Sequence, residues 1–303
     1  MNKKILQTCV GLNTIVRPFE VPYSDGENVM LRKCSNIDIT DAGKPKRRDG
    51  VGLSLAQNLG GIHSMFRATG YKVFVEGDAL SIRDSVGTVS RLRTVTAGLR
   101  MSCTEMAGTV YHTNGVEQGR IIDGVAYPWE MPTGEIVGPN ISTVWQGPPL
   151  GHLISQFGPH ILIAAGPYIF ISREFDPFHF HPGEGRLPTG SEAIMIREVT
   201  AGLWVSNQQE IYFYAGNSVK ELQPIKKHNL PAVMGTDVYV DQNELLPDMP
   251  EEQGIIVTTH DGIMLLTHDG QALPLSKKKI SIPAGTSGTA MIRGGQYLVN
   301  INF

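Results

Sequence analysis

The densest set of side chains able to do chemistry is the run Phe178-His179-Phe180-His181-Pro182-Gly183-Glu184. On a strand, residues i and i+2 project to one side, so His179 and His181 would offer two imidazoles together, with Glu184 as a third donor for a divalent metal. The spacer between His181 and Glu184 is two residues rather than three or four. No downstream histidine in a fitting context completes the set, and Pro177 and Pro182 bracket the run as a loop. The expectation is a structural or surface segment, with no metal and no other cofactor.

Two further histidines sit in His260-Asp261-Gly262 and His268-Asp269-Gly270. Asp-Gly is itself a turn signal, so these triplets read as hairpin turns rather than ligands. No Gly-x-Ser-x-Gly elbow marks a nucleophile, and neither GxxxxGK[ST] nor GxGxxG offers a phosphate cradle. The Ser-x-Asp-x-Gly-x-Thr-Trp boxes of sialidase-type chains are also missing. Glycoside hydrolysis needs paired carboxylates around a sugar. The chain is therefore expected not to be an enzyme. Two or more carboxylates converging in a central pocket would reopen that question.

Positive charge is densest at Lys44, Lys46, Arg47 and Arg48. The cluster is either a contact for DNA or an acidic partner surface, or a solvated turn; Lys277-Lys278-Lys279 poses the same choice. Net charge over the whole chain is −3, so any phosphate-directed contact has to be local. Trp129, Trp145 and Trp204 are expected in packing rather than on a sugar platform.

The elements that carry these residues follow from composition and pattern. The 303 residues include 34 glycines and 19 prolines, with 18% charged, below the roughly 25% of an average domain. That balance favours many short strands joined by turns. Cys9, Cys34 and Cys103 form no CxxC pair and read as reduced thiols of a protein made in the cytoplasm. The stretch Ile5 to Thr14 is too short and polar for a secretion signal, and no run approaches the roughly 20 apolar residues of a membrane span.

Sustained helical periodicity is absent, and a hairpin recurs instead. It is seen in Tyr71–Val75 with Ala79–Ile82, from Thr109 through the Thr113-Asn114-Gly115 turn, and in Ile161–Ala164 with Tyr168–Ile171. It returns in Leu203–Ser206 with Ile211–Tyr214, in Ile255–Thr258 with Ile263–Leu266, and in Thr289–Arg293 with Gln296–Ile301. The six copies begin near residues 71, 108, 160, 202, 254 and 289, a spacing scattered about the roughly 40 to 50 residues of a propeller blade. Flanking pieces such as Arg91–Thr96, Ala193–Val199 and Asp237–Asp241 supply further strands. The expected fold is all-β: a single β-propeller of five or six four-stranded blades over residues 29–303. Val29–Ile39 and the final strand from Tyr297 would share a blade and close the ring. Residues 1–28, with Pro18 and Pro22, read as an extended N-terminal arm, and Gly134–Gly151 as a long connection between blades.

Several segments are similar to β-propeller virion proteins of tailed bacteriophages. They are Asn36–Lys44 with Arg47-Arg48-Asp49-Gly50, Val75–Leu80, Gly202–Val205 with Tyr212–Gly216, and Met234–Tyr239. The resemblance spans most of residues 29–303 and brings no catalytic residues. It implies a structural component of the neck, tail or tail tip, made in the host cytoplasm and present in the virion in several symmetric copies. Its partners would be other virion proteins, with DNA or the host surface as further contacts. A carbohydrate- or receptor-binding propeller on the tail is the alternative.

Overall fold

The computed structural model describes residues 61–131, 145–181, 185–246, 248–276, 281–283, 285–293 and 296–302, and ahead of these only the backbone of four short strands. Among those four, β1 (Thr8–Leu12) pairs in parallel with β2 (Asn28–Leu31), and β3 (Ile37–Ile39) pairs antiparallel with β4 (Pro45–Arg47).

The rest of the chain lays down antiparallel sheets one after another. The first sheet is β5 (Ile62–Arg67), β6 (Tyr71–Glu76), β7 (Ala79–Asp84) and β8 (Val89–Thr94). The second is β9 (Ser102–Met106), β10 (Thr109–Thr113), β11 (Gln118–Ile122) and β12 (Val125–Tyr127). The third contains β13 (Leu153–Phe157), β14 (His160–Ala165), β15 (Tyr168–Arg173) and β16 (Asp176–Phe180), with β17 (Arg186–Pro188) also pairing with β15. The fourth is β18 (Ala193–Val199), β19 (Gly202–Asn207), β20 (Ile211–Ala215) and β21 (Gln223–His228). The fifth is β22 (Val238–Asp241), β23 (Gln253–Thr259), β24 (Gly262–Leu266) and β25 (Ala272–Pro274), with the single helical turn α1 (Gln242–Leu245) after its first strand. A hairpin of β26 (Ser287–Arg293) and β27 (Gln296–Asn302) follows.

Every hairpin read from the sequence is present, and the turns explain why. Glu76 pairs with Ala79 across Gly77-Asp78, where Gly77 takes φ +59°. Positive φ at the first turn position matches the right-handed twist of the flanking strands, and glycine adopts it without a Cβ penalty. His260-Asp261 likewise form the two-residue turn between Thr259 and Gly262.

Side-chain alternation explains why the strand runs are continuously apolar. On β14, Ile161 and Ile163 pack against Tyr111 of the second sheet and against Trp129, which follows that sheet in the chain. Their neighbours Leu162 and Ala164 face the other way, onto Ile196 and Leu203 of the fourth. Trp204 and Phe213 of the fourth sheet meet Ile255 and Val257 of the fifth, and Val73 and Leu80 of the first meet Val110 and Ile121 of the second. Val240 and Leu265 of the fifth pack on Ile292 and Tyr297 of the terminal hairpin. A sheet covered on both faces needs apolar residues at odd and even positions alike. The core is thus a series of layers between successive sheets, the all-β arrangement of a propeller.

Two of the three tryptophans lie in these layers, as expected. Trp129 donates its indole N–H to Pro177 O at 2.9 Å, and Trp204 donates to Thr267 O at 2.9 Å, each bonding the following sheet. The terminal hairpin holds two strands where the five sheets from β5 to β25 hold four or more, and β2 is paired with β1. Among the described residues no pair links Val29–Ile39 to β26 or β27.

Candidate functional site: an axial cavity

The first strands of successive sheets lie side by side, β9 against β13 and β13 against β18. Polar contacts join them in chain order. Ser64 Oγ accepts from Met101 N at 2.8 Å, and Ser102 Oγ accepts from Ile154 N at 3.0 Å. His152 Nε2 donates to Ala193 O at 2.6 Å, and Arg197 Nε donates to Asp237 Oδ2 at 2.6 Å. These strands line an open cavity of about 540 Å³, whose wall takes residues from all five sheets, Phe66, Glu105, Gln156, Arg197 and Tyr239 among them.

Its polar groups recur by position. Glu105, Gln156 and Glu198 each stand two residues before the turn that ends the first strand of their sheet. Glu105 Oε2 accepts the Thr69 amide at 2.9 Å, and Glu198 Oε1 accepts the Gly158 amide at 2.8 Å. Each carboxylate therefore clips its own sheet to the preceding turn or loop, and keeps a second oxygen with no hydrogen-bond partner among the described residues. Burial pushes the Glu198 pKa up, only partly offset by the Gly158 amide.

Burial works against charge on Arg197, but Asp237, with Tyr239, holds its pKa above the ordinary value. The guanidinium also lies 5.5 Å from the Tyr239 ring centroid. Arg100, between β8 and β9, approaches this pair, and its pKa is lowered by burial and by Arg197 while Asp237 opposes both. A Cβ at Gly235 would overlap the Arg100 guanidinium and the Gly288 carbonyl, so the φ of +84° there is matched by a tight approach. Cys103 also lines the cavity, but burial pushes its thiol up to about 12, which keeps it protonated and poorly nucleophilic.

The residues singled out in the sequence lie elsewhere. His179 and His181 do share a side, both meeting the Trp145 ring edge to face at 6.3 and 5.7 Å. His179 Nδ1 bonds Asp176 Oδ2 at 2.7 Å, and the Arg173 guanidinium lies 5.8 Å from the Trp145 centroid. Glu184 is outside the described residues, among which no group of three His, Cys, Asp or Glu is placed to hold a metal. Lys46 and Arg47 fall on β4, whereas Lys44 and Arg48, Lys277–Lys279 and most of Gly134–Gly151 lie outside the described residues. Among the described residues no helix is long and apolar enough to cross a membrane.

Sequence reading missed Glu105, Arg197, Glu198 and Asp237 because three different sheets bring them together. One signal was available: Arg197-Glu198 interrupts the otherwise apolar run Ala193–Val199. Charge inside a strand buried on both faces points to a polar axis.

No family model matches the chain, and no curated protein does. Among solved structures it is similar to streptogramin B lyase, at 13% identity over 88% of this chain and 86% of that one, with a TM-score of 0.46. It is also similar to a gluconolactonase from Xanthomonas campestris, at 15% identity over 88% and 92%, with a TM-score of 0.44. A third is the extracellular domain of a one-component system from B. thetaiotaomicron, at 12% identity and a TM-score of 0.40; the match covers 67% of this chain but only 27% of that longer one. Likeness at this level concerns the fold and transfers no activity. It nevertheless corrects the expectation that the chain is not an enzyme, because two of these neighbours are by name a lyase and a lactonase. A missing local motif excludes no activity whose residues come from separate strands. Glu105 and Glu198 in one axial cavity also supply the pair of carboxylates that no local motif could reveal.

Proposed function

We propose that the chain is a six-bladed propeller that serves as a structural component of a tailed bacteriophage particle, at the neck, tail or tail tip, by docking onto other virion proteins in several symmetric copies. The sixth blade would be the terminal hairpin completed by strands from residues 29–39, closing the ring. Support for closure comes from the two-stranded hairpin, since the outer edge of β27 has no described partner and an open edge invites pairing.

Phe175 carries the docking reading. It occupies the turn between the third and fourth strands of the third sheet with 78% of its surface exposed and φ +54°. Its N–H is bonded to Pro159 O at 2.8 Å, so the turn is held in this shape. A bulky residue in the left-handed region is strained, and an aromatic displayed there is suited to anchor a partner. The basic residues Lys46 and Arg47 on β4 offer a second contact, for an acidic partner surface or DNA.

The test is incorporation into particles during infection, comparing the full chain with a Phe175→Ser variant and with a chain lacking residues 1–20. Both altered proteins are expected to stay folded and to be depleted from purified particles by mass spectrometry. Normal incorporation of both, with full infectivity, would overturn the docking role.

A further inference from the structure

We propose that the axial cavity is a binding site for a short saccharide, held by the second carboxylate oxygens of Glu105 and Glu198 and by the Gln156 side chain. This goes beyond docking, since it assigns a ligand class to a cavity whose lining does not include Phe175. At about 540 Å³ the cavity falls within the roughly 300 to 1,000 Å³ of small-molecule sites.

The chemistry of the wall selects the class. Glu105 and Glu198 are acceptors for hydroxyl groups, and both are held in place by backbone amides rather than by each other. Gln156 is pinned through Nε2 to Gly158 O at 2.8 Å. The hydroxyls of Thr104 and Ser155, which also line the cavity, make no hydrogen bond among the described residues. Phe66 contributes an apolar surface on which the C–H face of a sugar ring can lie. An anionic ligand would meet two carboxylates, while the one cation on the wall, Arg197, is already paired with Asp237. A predominantly apolar ligand would strip water from carboxylates and hydroxyls without replacing their hydrogen bonds. A neutral, hydroxyl-rich molecule satisfies the acceptors, the amide and the aromatic face together.

Saturation-transfer NMR and calorimetry of the full chain with cellobiose, N,N′-diacetylchitobiose, lactose and maltose test this directly. At least one of the four is expected to bind with a Kd on the order of 1 mM or tighter. Glu105→Gln and Glu198→Gln keep an acceptor for the Thr69 and Gly158 amides, so both variants should retain the wild-type urea midpoint. Each should weaken binding about ten-fold, the loss expected when a charged acceptor becomes neutral. The proposal is overturned if none of the four binds at about 20 mM, well above the millimolar range, or if binding survives both substitutions undiminished.

Discussion

Arg197 and Asp237 connect the first strand of the fourth sheet to the start of the fifth through one contact of 2.6 Å, with 35% of the arginine side chain exposed and 8% of the aspartate. The aspartate also offsets the positive charge of Arg100, so one carboxylate serves two guanidinium groups. Removing it leaves the like charges of Arg100 and Arg197 without their shared counter-charge. Asp237→Ala is expected to lower stability in urea by about 2 kcal/mol, less than the 3 to 5 of a fully buried pair because Arg197 is partly solvated. Raised salt should recover part of the loss. An unchanged urea midpoint would show that the contact is incidental.

His112 on β10 is fully buried, and neither ring nitrogen has a hydrogen-bond partner among the described residues. Burial first, then the charge of Arg93, pushes its pKa down from 6.5 to about 3. The unfolded chain therefore binds a proton between these values that the folded chain refuses. The stabilising contribution is present above about pH 6.5 and is lost as pH falls towards 3. In His112→Leu, which strands no hydrogen bond, the loss of stability between pH 7 and 4 should be smaller than in the wild type by about 3 kcal/mol. Parallel stability–pH curves for the two proteins would refute this.

Trp204 fills the layer between the fourth and fifth sheets and bonds Thr267 O. Trp204→Phe keeps most of the apolar volume and forfeits the hydrogen bond, at an expected cost of about 1 to 2 kcal/mol. Trp204→Ala adds a cavity and should cost about 4 kcal/mol. Equal effects of the two substitutions in thermal unfolding would mean that the layer collapses around the gap.

The Tyr297 hydroxyl reaches back to the fifth sheet, 2.5 Å from Thr236 O and 2.9 Å from Thr258 Oγ1, and burial pushes its pKa up to about 12. Tyr297→Phe is expected to cost about 1 kcal/mol. Deleting residues 297–303 removes β27 and bares the edge of β26, so the shortened protein should aggregate or unfold. A soluble truncation with unchanged circular dichroism and melting temperature would sink the ring-closure proposal.

The hairpins and their turns were legible because they are local. Glu76-Gly77-Asp78-Ala79 carries its own instructions in a glycine that accepts positive φ, and apolar runs such as Ile161–Ala164 announce strands without help from distant residues. The sequence therefore determined the hairpins and their antiparallel pairing, but left the number of blades at five or six. It pointed to no site for chemistry, reading its most suggestive run, His179 to Glu184, as a structural or surface segment. His179 and His181 stand close along the chain, yet the structure sets them against Trp145 and Asp176. Which faces of neighbouring sheets meet, and which residues reach the axis, depends on stacking across 40 or more positions, for which a single chain carries no local signal. Glu105 and Glu198 are far apart along the sequence, and only the packing of their sheets brings both onto the wall of one cavity.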